Sequence, residues 1–146
     1  MTSGSADSNP QIAAAEDALK HLAPRIAVVE DEPLISSIFS AILNRAGYNV
    51  VKTCNNGKEF LDYLDELVHD QDESLLPDIV VMDFRMPRLD GLETAKLLRA
   101  AHPKMKIIMT TAYELPNESA EYFDAYVRKP VSKEALLNAV SQETDK

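Results

Sequence analysis

Five residues scattered along the chain could act together if the fold gathered them: the adjacent acids Glu30 and Asp31, a lone acid Asp83, the hydroxyl of Thr111 and the amine of Lys129. Glu30-Asp31 follows the apolar run Ile26-Ala27-Val28-Val29, and Asp83 follows Ile79-Val80-Val81-Met82. Thr111 ends the run that starts at Lys106-Ile107-Ile108-Met109, and Lys129 follows Ala125-Tyr126-Val127-Arg128. Three carboxylates in one cleft repel, raise one another's pKa and so favour a hard dication, for which Mg²⁺ is the natural candidate. With metal, ammonium and hydroxyl neutralising the equatorial oxygens, the remaining carboxylate could receive a phosphoryl group. Taken singly, a strand-ending Asp is a common turn former, so the weight rests on the set and not on Asp83 alone.

The elements that would have to position these groups are legible from periodicity. Short aliphatic runs that stop at a polar residue read as strands buried on both faces of a parallel sheet. Tyr48 to Thr53 adds another strand. Between strands, Pro33 opens a helix carrying Ile35, Ile38, Phe39, Ile42 and Leu43, with Gly47 as its left-handed cap. After the turn Asn55-Asn56-Gly57, a second helix carries Phe60, Leu61, Leu64 and Val68. A third begins at Leu92 with Ala95, Leu97, Leu98 and Ala101, and Ser132 caps a last one with Leu136, Leu137, Ala139 and Val140. Five strands alternating with helices predict an α/β doubly wound sheet, and right-handed crossovers bring every strand C-terminus to one edge. In open α/β sheets that edge is where ligands bind.

Two stretches fall outside this alternation. Residues 1–24 read as a flexible extension, with Asn9-Pro10 set to cap and start one short helix through Ile12, Ala15, Leu19 and Leu22, and residues 25–146 as the folded domain. From His69 to Pro77 the acids Asp70, Asp72 and Glu73 have no neighbouring Lys or Arg and no regular ligand spacing, which predicts a solvated insertion and not a metal loop.

Composition removes several function classes. With 146 residues and 45% apolar content there is one ordinary core, and a net charge of -9 without a basic cluster argues against binding a nucleic-acid backbone. Apolar runs are too short to span a membrane, and the polar N-terminus lacks signal-peptide order, so a cytoplasmic location is expected. The single cysteine, Cys54, excludes an internal disulfide, and three scattered histidines lack zinc spacing.

The motifs in order resemble the response-regulator receiver domain of two-component signalling, over about Arg25 to Gln142. Val28-Val29-Glu30-Asp31-Glu32-Pro33 resembles that family's acidic pair, and Met82-Asp83-Phe84-Arg85-Met86-Pro87 with Asp90-Gly91 resembles its phosphoacceptor loop. Thr111-Ala112 and Lys129-Pro130 resemble its hydroxyl and lysine motifs. The resemblance implies a flavodoxin-like sheet of order 2-1-3-4-5. It further implies that Asp83 accepts phosphoryl from a histidine kinase or histidine phosphotransferase, that Glu30, Asp31, Asp83 and the Arg85 backbone carbonyl hold Mg²⁺, and that Lys129 pairs with the phosphoryl oxygens. Thr111 and Tyr126 would be the switch pair, with Thr111 turning inward and Tyr126 following, and the Lys129-Pro130 bond would be cis.

The chain also departs from the family pattern. Thr111 to Lys129 is 18 positions, shorter than usual, and Tyr122-Phe123-Asp124 stands where small turn residues are customary. The helix between the fourth and fifth strands is therefore expected to be short or irregular, to open easily, and to present Tyr122, Phe123 and Tyr126 together to a partner. No second folded domain is expected after the last helix, which makes the domain a single-domain regulator signalling through an unknown downstream protein or a relay, and not an enzyme in its own right. Two alternatives stand beside this: a phosphorylation-independent interaction scaffold, and a small Mg²⁺-dependent phosphatase. The phosphatase would need an acid two positions after its nucleophile, where this chain has Arg85.

Overall fold

A computed structural model of the chain describes residues 9–15 and 23–145. Strands β1 (Arg25–Val29), β2 (Asn49–Cys54), β3 (Ile79–Asp83), β4 (Lys106–Thr111) and β5 (Ala125–Arg128) form one parallel sheet of order β2-β1-β3-β4-β5. The helices are α1 (Pro33–Arg45), α2 (Gly57–His69), α3 (Gly91–Ala101) and α4 (Lys133–Thr144). This is the doubly wound, flavodoxin-like architecture expected from the alternation. Boundaries shift slightly: β2 lies one residue later than expected at both ends, and α3 starts at Gly91 because the Asp90 carboxylate caps it, accepting the Glu93 N–H at 2.8 Å.

The strand runs are apolar throughout because alternate residues serve two cores. Ala27, Val29, Val80, Met82, Ile107 and Met109 meet Phe60 and Leu64 of α2 and Ala95 and Leu98 of α3. Ile26, Val28, Ile79, Val81, Ile108 and Val127 meet Phe39 and Leu43 of α1 and Leu136, Ala139 and Val140 of α4. Each fully buried aliphatic side chain contributes about 1.5–3 kcal/mol of transfer free energy, so β1, β3 and β4, buried on both faces, are the best-fixed strands.

Local devices set the helix ends. Gly47 takes φ +97°, and its N–H and that of Tyr48 donate to the Asn44 and Leu43 carbonyls, a Schellman stop for α1. The Asn56 side chain caps α2 by accepting the Glu59 N–H at 2.9 Å. Gly91 is required for closeness and not for a turn. A Cβ there would stand 2.6 Å from the Asp83 carbonyl oxygen and 2.8 Å from Met109 Sδ, so only glycine lets the first turn of α3 lie against the end of β3.

Asn9 caps a helical run at 10–15, its carboxamide oxygen accepting the Gln11 N–H at 2.9 Å, as its sequence suggests. The later part of the expected helix, residues 16–22, lies outside the described residues. The acidic stretch after α2 holds one 3₁₀ turn, Glu73–Leu75, tied down by Arg25, whose guanidinium donates to the Leu76 carbonyl at 2.7 and 3.0 Å.

Between β4 and β5 there is only a six-residue 3₁₀ segment, Asn117–Tyr122. It is nonetheless well anchored. Leu115, Tyr122 and Phe123 pack on the α2–α3 core, and Asp124 accepts the Ile107 N–H at 2.8 Å and an Arg99 N–H at 2.5 Å. The three aromatics are not equally open: Tyr122 and Phe123 are half-buried against the core, while Tyr126 is 57% exposed. Register explains the exposure. Tyr126 pairs with Met109, which faces the α2–α3 layer, and the short segment does not extend far enough to cover it.

Candidate functional site

The acidic groups come together because β1 and β3 are neighbours whose C-termini end level. Glu30, at the end of β1, is held by its N–H donating to the Cys54 carbonyl at 2.9 Å, and Phe84 N–H donates to the Thr110 carbonyl at 2.8 Å just beyond Asp83. Glu30, Asp31 and Asp83 each offer an oxygen within 4.8 Å of the others. Lys129 reaches them from the end of β5, where its own N–H donates to the Thr111 carbonyl at 2.8 Å; the Lys129-Pro130 bond is cis. Its Nζ lies 3.1 Å from Asp83 Oδ1 and 3.6 Å from Glu30 Oε1.

Burial and charge make this set tense. Glu30 and Asp83 are 1% and 5% exposed, whereas Asp31 is open to solvent. Burial pushes the Glu30 carboxyl up to about 7, the Asp83 charge adding to this against the Glu32 N–H and Lys129. Asp83 is also raised by burial, with Lys129 and the Arg85 N–H opposing. Burial alone would lower the Lys129 pKa, but Asp83 and Glu30 outweigh it and hold the ammonium charged above its ordinary range.

A hard cation fits these residues. Glu30 Oε2 accepts the Glu32 N–H at 3.1 Å, while Glu30 Oε1 is buried without a hydrogen-bond donor. A buried carboxylate oxygen with no hydrogen bond, met only by the Lys129 ammonium at 3.6 Å, is costly, and an all-oxygen donor set is the kind that Mg²⁺, Ca²⁺ or Mn²⁺ takes. Beside the set, Asp31, Phe84, Arg85, Met86, Pro87 and Asp90 line an open cleft.

Thr111 is at the same sheet edge but is not joined to the acids. Its buried hydroxyl donates to the Tyr113 carbonyl and accepts the Tyr113 N–H, both at 3.0 Å. Among the described residues no hydrogen bond links it to Asp83. The Arg85 N–H donates to Asp83 Oδ1 at 3.3 Å, and its guanidinium lies 4.7 Å from the centre of the Tyr113 ring. Tyr113 was not singled out by sequence reasoning. The signal that could have found it is the Thr-x-Tyr spacing, at which a Ser or Thr hydroxyl closes a turn on the backbone two residues on. Cys54 is plain packing, buried with its thiol pushed up to about 12 by desolvation.

Comparison with known proteins agrees with this geometry. Residues 26–141 match the family model of the response regulator receiver domain. The chain is 35% identical over 117 residues to the response regulator MprA of Mycolicibacterium vanbaalenii, covering 77% of this chain and 47% of that protein. It is 34% identical over 121 residues to the positive alginate biosynthesis regulatory protein of Pseudomonas aeruginosa, covering 80% and 46%. The chain thus spans about half the length of these curated relatives. Among solved structures, the response regulator TrrA of Thermotoga maritima in complex with Mg²⁺-BeF superposes with TM-score 0.71 at 32% identity, covering 82% of this chain and 98% of that one. The CheY-like receiver domain protein of Methanospirillum hungatei superposes at 0.70 with 26% identity, covering 84% and 94%.

Proposed function

The chain belongs to the response regulator receiver domain family, and from that premise we propose that Asp83 is its phosphoacceptor, loaded from the phosphohistidine of a histidine kinase or histidine phosphotransferase. The observation that carries this is the gathering of Glu30, Asp31 and Asp83 within 4.8 Å, with Lys129 Nζ 3.1 Å from Asp83 Oδ1. In the transfer, the bond from phosphorus to the donor imidazole nitrogen breaks as a bond from phosphorus to an Asp83 carboxylate oxygen forms, and the imidazole, whose other ring nitrogen carries a proton, leaves neutral. Glu30, Asp31, Asp83 and the Arg85 carbonyl would hold Mg²⁺, which when bound supplies positive charge to the phosphoryl oxygens. Lys129 supplies the remaining cation from a fixed ammonium already aimed at Asp83, so little reorganisation is needed as charge develops.

Thr111 then donates to the new phosphoryl group, and Tyr126, exposed on β5, moves inward behind it. The output is a changed surface read by a protein partner or a further phosphotransfer, and a cytoplasmic location goes with that role. Among the described residues no helix is long and apolar enough to cross a membrane. The domain is an acceptor and not a turnover phosphatase: two positions after Asp83, where the phosphatase needs a carboxylic acid, stands Arg85, whose guanidinium is stacked on a ring.

Incubation with acetyl phosphate and Mg²⁺, followed by intact-mass analysis, tests this reading. One phosphoryl adduct is expected, absent in Asp83→Ala and in excess chelator; full labelling under either condition overturns it.

A further inference from the structure

Arg85 stands at the rim of a site with three carboxylates, yet among the described residues it makes no ion pair. Its guanidinium is instead held over Tyr113, 4.7 Å from the ring centre. Both partners are exposed, Tyr113 by 56%. The backbone of Arg85 is tied the other way, its N–H donating to Asp83 Oδ1. Tyr113 is likewise tied at its backbone, because its carbonyl takes the only proton of the Thr111 hydroxyl and its N–H donates to the same oxygen. The stacked pair therefore bridges the loop after β3 to the loop after β4, beside the acidic site.

Resting on the reading that Asp83 is loaded and Thr111 follows, we propose that Tyr113 is a positioning residue that latches the unloaded state. A threonine hydroxyl has one hydrogen to donate, so Thr111 cannot serve the Tyr113 carbonyl and a phosphoryl oxygen at once. Loading Asp83 therefore takes the Thr111 proton from the Tyr113 carbonyl and leaves the turn held by the Tyr113 N–H alone. So loosened, Tyr113 turns outward, its ring leaves Arg85 and the cation–π contact is forfeited. That contact is thus made in the unloaded state alone, and a contact made in one state alone shifts the balance between the two by its own strength. Exposed cation–π pairs correspond to about a two- to five-fold change in an equilibrium constant.

The test is calorimetric titration of the full chain, in Mg²⁺, with beryllofluoride, a phosphoryl mimic on a carboxylate. Tyr113→Leu removes the ring face and is expected to tighten binding about two- to five-fold. Tyr113→Phe keeps the face and is expected to bind as the unaltered chain does, and both should melt normally because the side chain is exposed. In a Thr111→Ala background the turn no longer has to open, so Tyr113→Leu is expected to change nothing there, a non-additivity that mere loosening of the loop would not produce. Unchanged or weaker binding in Tyr113→Leu overturns the latch, and so does equal tightening with and without Thr111. Failure of the unaltered chain to bind, or binding that survives Asp83→Ala, overturns the assignment of Asp83 itself and is distinguishable on those grounds.

Discussion

The two ends of the site are built on opposite plans. Glu30 and Asp83 sit at the ends of β1 and β3, buried on both faces, where their positions are inherited from the sheet and their charges press on one another. Thr111, Tyr113 and Tyr126 sit at the β4–β5 side, where the hydroxyl is satisfied by its own loop and the two tyrosines face solvent. The first region can change its charge but hardly its shape. The second can change shape without altering the chemistry. A domain that must react at one place and report at another gains from keeping the two so distinct, since buried strands hold geometry and exposed side chains exchange partners at small cost.

The sharpest way to break this comparison is at Lys129. Lys129→Ala should leave the sheet intact and slow acetyl phosphate loading by about 100-fold, the usual loss when one prearranged charge donor is removed. A mass-adduct time course measures it, and an effect of only a few fold would place the chemistry elsewhere.

Next in size is a pH effect confined to the acidic end. The Glu30 carboxyl, ordinarily near 4.5, is held at about 7 in the folded chain, so folding favours its protonated form. The stability this lends is full below pH 4.5 and is lost as pH rises through about 7. Asp83, also raised, adds in the same direction, while the raised Lys129 titrates outside this window. Metal-free melting temperature should therefore fall between about pH 5 and 8, and Glu30→Gln should flatten the fall. Added Mg²⁺ should restore the loss at the alkaline side, because the cation competes with protons for the same oxygens. Melting curves that do not depend on pH would show that the carboxylates are not in tension.

A smaller effect tests the other region. Asp124→Ala leaves the Ile107 N–H and the Arg99 guanidinium without their carboxylate, which should cost about 1–3 kcal/mol in urea unfolding while loading stays within about two-fold. A large loss of loading would mean the regions are not separable. Smallest of all, Tyr126→Ala should move stability by less than about 0.5 kcal/mol, since more than half of its side chain already meets water. A larger loss would mean that the ring is packed in solution.

Much of this was legible in the sequence because parallel strands buried on both faces leave an unmistakable apolar run, and because a polar residue at the end of such a run must lie at the sheet edge. Glu30, Asp83, Thr111 and Lys129 could be placed on that logic alone. Other particulars were not legible. Gly91 reads as an ordinary turn glycine, and only the approach of α3 to the Asp83 carbonyl makes it obligatory. Tyr122 and Phe123 read as an exposed cluster with Tyr126, but a 3₁₀ segment tied through Asp124 to Arg99 leaves the first two half-buried against the core.

The sequence by itself determined which side chains reach one edge, since periodicity and crossover handedness depend only on local residue types and chain chirality. Tertiary structure alone decided how they engage there: that Lys129 favours Asp83 over Glu30, that Glu30 Oε1 is left without a donor, and that the Arg85 guanidinium lies over the Tyr113 ring. The physical reason is range. A strand's facing repeats every two residues, but hydrogen bonds and charge pairs between loops some twenty or more residues apart are settled within fractions of an ångström, by packing that no local pattern encodes.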